Sequence, residues 1–168
     1  MAAQAQAQTL NVATAGDQNM VDYMKDYLGP MFEKKHPGVK VVAVGTGPGD
    51  GGSQKIFEKL DAQKKAGAGA WDFDVVVIHQ KMAGDMAKDG LLARYRGDIP
   101  TGSLVTRESA SNSLGANVDG FVMPMFHSQT ALAYNADMVK DVPDSYPALV
   151  EWTKKNPKQF VYNGIKGG

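Results

Sequence analysis

Between Val41 and Phe57 the chain reads VVAVGTGPGDGGSQKIF, with glycine at positions 45, 47, 49, 51 and 52. No other stretch is as dense in glycine, a residue that costs backbone entropy on ordering and offers no side chain to pack. A glycine-rich turn running into a helix start presents backbone N–H groups at the positive end of the helix dipole. That arrangement can hold a carboxylate, phosphate, sulfonate or neutral acceptor. A plain glycine-rich turn with no ligand is the competing reading.

Two nucleotide chemistries can be tested against the spacing. A triphosphate loop needs a lysine after its last glycine, and Gly47 to Gly52 has the right spacing, but Ser53 stands where that lysine must be. Gly47, Gly49 and Gly52 also fit the dinucleotide pattern G-x-G-x-x-G. That pattern needs an acidic residue at the C-terminal end of the next strand. Asp72 and Asp74 stand at its N-terminal end instead, a strand length of ~15 Å away, and His79 with Gln80 holds the position.

Hydrolytic chemistry finds little support, with no G-x-S-x-G elbow and no H-E-x-x-H helix. His36 lies in the KKHPG turn, His79 ends the third strand, and His127 falls in a broken extended segment. Histidines without cysteine or a nearby carboxylate pair make a poor metal site. We therefore expect no catalytic residue, no metal and no cofactor.

The elements that must position these residues alternate. TLNVATAG (9–16) reads as a strand. A helix follows with Val21, Met24, Leu28, Met31 and Phe32 at helical spacing, Asp17 or Asn19 as N-cap, and HPG (36–38) as its stop. VKVVAVG (39–45) is apolar enough for a strand buried on both faces. After the glycines, Ser53 is placed to cap a helix carrying Ile56, Phe57 and Leu60. WDFDVVVI (71–78) reads as a third strand, and a helix through Met82 and Met86 ends at Gly90.

Strand and helix alternating three times predicts a parallel α/β sheet whose strand C-termini share one rim. From Arg94 to Gly120 the chain is polar and turn-rich. Residues 121–135 give two extended pieces broken at Pro124 and His127, and 145–157 a helix with Leu149, Val150 and Trp152 on its apolar side. The methionines read as core, and Tyr134 and Trp152 as packing residues.

Composition narrows the partners. The 168 residues carry 18 basic and 18 acidic side chains, well interspersed, and no cysteine. No overall field draws the chain to nucleic acid or anionic lipid, and disulfide frameworks are excluded. No stretch approaches the ~18–20 apolar residues of a membrane span. MAAQAQAQTLNV carries the small-residue pattern of a secretory cleavage region without the basic and apolar regions that precede one. We read it as the start of an exported, periplasmic protein whose signal peptide has been removed; an ordinary low-complexity tail is the alternative.

TLNVATAG, FEKKHPGVKV, DVVVI and DGLLARY, in that order, resemble the first lobe of a periplasmic solute-binding protein of an ATP-binding-cassette importer. VMPMFHSQTALAYNADMV is similar to that family's crossing segment, and VPDSYPALVEWTKKNPKQFVY to the helix opening its second lobe. The resemblance runs from Thr9 to the end, and ALAYN followed by the later P-x-x-W/Y-x-x-L and N-P pattern is its most specific part.

The resemblance implies a type II-like two-lobe α/β fold with a tail (1–8), a first lobe (9–124), a hinge crossing (125–135) and the start of a second lobe (136–168). Such proteins are about twice as long, so the sequence is expected to be a fragment, prone to self-association or segment exchange. Carried over by position, solute contacts are Ala15, Gly16, Asp17, Gln18 and Asn19 after the first strand. Gly47, Gly49, Asp50, Gly51, Gly52 and Ser53 follow the second, His79 and Gln80 the third, and Ser128 and Gln129 lie at the crossing.

The implied activity is binding rather than catalysis: a small polar or zwitterionic solute is closed into a cleft and delivered to an inner-membrane permease. Asp17 and Asp50 are placed to hold an ammonium, the glycine N–H groups an acceptor. A small flavodoxin-like enzyme with a phosphate-bearing cofactor is the alternative.

Overall fold

The computed structural model describes residues 8–127 and 131–162. Three parallel strands, β1 (Gln8–Ala15), β2 (Val39–Gly47) and β3 (Val75–Val77), form a sheet in the order β2-β1-β3. Leu10 pairs with Val41 and Thr14 with Gly45 on one side, and Val12 to Thr14 with Val75 to Val77 on the other. The α/β parallel architecture expected from the alternation is present, and the strand C-termini share one end of the sheet.

β3 is shorter than the apolar run suggests. Asp74 donates its N–H to the Asn11 carbonyl (2.9 Å), and its carboxylate accepts from the Asn11 N–H (2.7 Å). A side chain thus takes over the pairing, and the ladder starts only at Val75.

The first connection is helical throughout but not regular. α1 (Gln18–Asp22) runs into a π-helical stretch (Tyr23–Leu28) and then α2 (Gly29–Lys35). Pro30 is the physical cause. It has no N–H for the carbonyl four residues back, and its ring crowds that carbonyl, so the preceding turn widens. The widening rotates the face that follows. Met31 and Phe32, expected inward, are exposed, whereas Val21, Met24 and Gly29 are buried. A Cβ at Gly29 would stand 3.4 Å from the Val41 side chain and 2.9 Å from the Met24 carbonyl. Glycine is what allows this close approach to β2.

The other face of the sheet holds the main core: Ala13 and Ala15 of β1, Ile56 and Leu60 of α3 (Gly49–Lys65), and Met86 of α4 (Gln80–Lys88). β2 is therefore not buried on both faces. It is an edge strand, and Val42 and Val44 are each 41% exposed where the α3 and α4 core does not reach. α4 closes with Gly90 at φ +62, the Gly90 N–H donating to Ala87 and the Leu91 N–H to Met86, which is a Schellman ending.

Beyond it the chain makes 3-10 turns and a hairpin, β4 (Asn112–Ser113) and β5 (Ala116–Asn117). Leu114 and Gly115 have φ +52 and +91, as a tight primed turn requires. The hairpin lies on α4, where a Cβ at Gly84 would come within 2.5 Å of the Ala116 Cβ. Arg96 ties the segment together, donating to the Ala110 carbonyl and pairing with Asp119.

The chain divides into two compact units, 1–125 and 126–168. Residues 121–127 and 131–135 form no strand, so the extended pieces expected there join no sheet among the described residues. The second unit holds α5 (Tyr146–Lys155), whose N-cap Ser145 accepts from the Ala148 N–H at 3.4 Å. Leu149 and Trp152 are half-buried there, and Val150 is exposed. Tyr134 is exposed, as are Met125 and Met138, so not every methionine is core.

Candidate functional site

The glycine burst is a helix start rather than a loop before one. Pro48 is the N-cap of α3, and Gly49 to Gly52 make its first turn. Ser53 is not the cap: it sits one turn in, 1% exposed, where its Oγ accepts from the His79 N–H at 3.0 Å. The glycines divide by cause. Gly47 and Gly49 have φ +102 and +65, which disfavours any side chain. Gly52 is fixed by packing, since a Cβ there would lie 1.9 Å from the Gly47 carbonyl oxygen and 3.3 Å from the Ala15 Cβ. Gly51 meets neither constraint: nothing lies within 4 Å of a Cβ built on it.

Three of the four predicted clusters come together at this end of the sheet. The Gly16 N–H donates to the Gly47 carbonyl (3.0 Å), joining the ends of β1 and β2. The Ser53–His79 bond joins α3 to the end of β3. His79 is in turn the N-cap of α4, so two helix N-termini face the same rim. Gln80 is exposed at the first position of α4, and its carbonyl accepts from the buried Ser113 Oγ at 2.7 Å.

At the end of β1, Ala15 and the following Gly16 are buried and offer backbone alone. Asp17 caps α1 through its carbonyl, which accepts from the Met20 N–H at 3.0 Å; Gln18 donates to Asp22, and Asn19 is exposed. Ser128 and Gln129 lie outside the described residues.

Sequence reasoning missed Lys81. Its ammonium donates to the Asp50 carboxylate at 2.8 Å, and His79 Nδ1 lies 3.9 Å from the same group. The Lys81 hydrogen bond holds the Asp50 carboxyl below the usual carboxylate range, and Asp50 raises the Lys81 ammonium in return. Asp50 is thus already matched to a cation, which weakens it as the expected holder of a ligand ammonium. A lysine four residues beyond the end of β3, in HQK, was the available signal. What remains on the rim is the N–H groups of Gly49, Asp50 and Gly51, which a helix start leaves unpartnered within itself, with a lysine–aspartate pair beside them; the Gly52 N–H already donates to the Pro48 carbonyl at 3.3 Å.

The acids at the opposite end serve the fold. Asp74 pairs with Asn11, and Asp72 binds Lys59 at 2.7 Å. Neither stands where a ribose-binding acid must. His36, stacked on Phe32 at 4.3 Å, also lies away from the rim, in the turn before β2. Among the described residues no group of three or more His, Cys, Asp or Glu could hold a metal ion, and no described helix is long and apolar enough to cross a membrane.

A search of curated proteins finds no match. Residues 28–166 match the family described as bacterial extracellular solute-binding protein. That family is non-enzymatic, which sets aside the flavodoxin-like reading, and its role is substrate binding in transport. The match spans most of the chain and includes β2, α3, β3 and α4, the elements that build the rim. The chain belongs to the bacterial extracellular solute-binding protein family.

Proposed function

We propose that the rim at the strand C-termini captures a small polar or zwitterionic solute, which is then delivered to an inner-membrane ATP-binding-cassette permease. The observation that carries this reading is the meeting of two helix N-termini, held together by the His79 N–H bond to Ser53 and the Lys81–Asp50 pair. Helix starts favour an acceptor group on the ligand. Gly51 leaves room for it: it is the one glycine of the first turn that neither backbone angle nor packing requires.

In this proposal Ala15 to Asn19, Gly47 to Ser53 and His79 with Gln80 form one wall of the site. Residues 9–124 act as one lobe, 125–135 as a crossing and 136–168 as the beginning of a second lobe, with Ser128 and Gln129 contributing at the crossing. Closure is driven only by the difference in solute affinity between open and closed forms. The periplasm is the compartment in which such capture precedes transport.

Native mass spectrometry of the protein isolated from its periplasm tests the reading. We expect a bound polar small molecule that is released on denaturation. A phosphate-bearing cofactor in its place would contradict the proposal.

A further inference from the structure

β2 is an edge strand built from VKVVAVG, a run rich in β-branched residues with a single charge and no proline. Such a segment pairs readily with another copy of itself when its edge is open. In a parallel ladder alternate residues turn their N–H groups outward, and here Val41 is one of them. Its N–H donates not to a strand but to the Glu33 carboxylate, at 2.9 Å. The helix is brought there on purpose of geometry: the wide turn before Pro30 puts Gly29 against Val41, and Glu33, four residues on, lands over the strand edge. Lys40 holds the same carboxylate oxygen at 3.0 Å. One step earlier the Val39 N–H is taken by the His36 carbonyl at 3.1 Å.

We propose that Glu33 is an edge guard, occupying the outward N–H of Val41 so that a second copy of this chain cannot add a strand to β2. The occupant excluded is another copy because the exposed segment is self-complementary: Val42 and Val44 stand 41% exposed on the adjoining face and would be covered by the same residues of a partner strand. This role is independent of solute binding, since Glu33 and the rim are on different elements.

Two experiments on the full chain test it. In sedimentation velocity, Glu33→Ala should associate more steeply with concentration than the parent, and adding Val42→Lys, a charge on the exposed face, should return it to the parent curve. A Glu33→Ala curve that overlays the parent's would overturn the proposal. Amide hydrogen exchange on the parent decides the matter even if the variant fails to fold. Val41 should exchange more slowly than Ala43, the next outward N–H, by on the order of ten-fold. Equal rates at the two positions would equally overturn it.

Discussion

The two ends of the sheet use charge in opposite ways. At the N-terminal end Asp74 is bound to backbone and Asp72 to a lysine of α3, and both hold strand to helix or strand to strand. At the C-terminal end Asp50 and Lys81 contact one another across two helix starts, and among the described charged side chains only Lys55 reaches the sheet's backbone there, donating to the Thr46 carbonyl at 3.2 Å. The first arrangement is framework, the second an exposed surface pair. Charge count alone does not separate them; position along a parallel strand does.

The largest effect that would sharpen this contrast sits within two adjacent glycines. Gly52→Ala drives a Cβ into the Gly47 carbonyl, and we expect a loss at or beyond the upper end of ~1–3 kcal/mol in urea denaturation. Gly51→Ala has open space and should be neutral or stabilising by about 0.5–1 kcal/mol, the helix preference of alanine over glycine. Similar losses in both would mean that the first turn is packed uniformly and offers no opening.

Next in size is the framework end. Asp74→Ala removes the acceptor of the Asn11 N–H and should cost about 1 kcal/mol, with Asp74→Asn milder because its amide oxygen still accepts. Chemical denaturation of the two variants checks the order.

Acid titration reaches both ends with a smaller effect. Glu33, Asp50 and Asp72 have folded values lowered from 4.5, 3.8 and 3.8, chiefly by the Val41 N–H, Lys81 and Lys59 in that order. A lowered folded value contributes stability above the unfolded value, and that contribution is lost as pH falls through the folded one. Stability should therefore decline as pH drops below about 4.5. Lys81→Ala should remove the Asp50 share of that decline and leave neutral-pH stability nearly unchanged, as expected for an exposed pair. A full decline in Lys81→Ala would show that the rim pair is not formed in solution.

Much of this was legible in the sequence. Strand–helix alternation was enough for the parallel sheet, Gly90 for the end of α4, and Ser145 for the start of α5, because each is a local signal. The inward face after Leu28 was not legible. One proline shifted the helix by a fraction of a turn and exchanged Met31 and Phe32 for Gly29 and Glu33. Ser53 read as a cap because capping is the usual use of serine at a helix start. Its real partner, the His79 N–H, is 26 positions away. Lys81 was missed for the same reason: its partner Asp50 is distant in sequence and near only in the fold.

Solute affinity at the rim is the central claim, and calorimetric titration with the molecule identified by mass spectrometry tests it most directly. Gly51→Val, which fills the opening while leaving Gly49 and Gly52 in place, should weaken binding on the order of ten-fold or more, the scale of one or two displaced N–H contacts. Gln80→Ala and Lys81→Ala should weaken it less, and His36→Ala not at all. Unchanged affinity in Gly51→Val and Gln80→Ala, with the fold intact, would contradict the account.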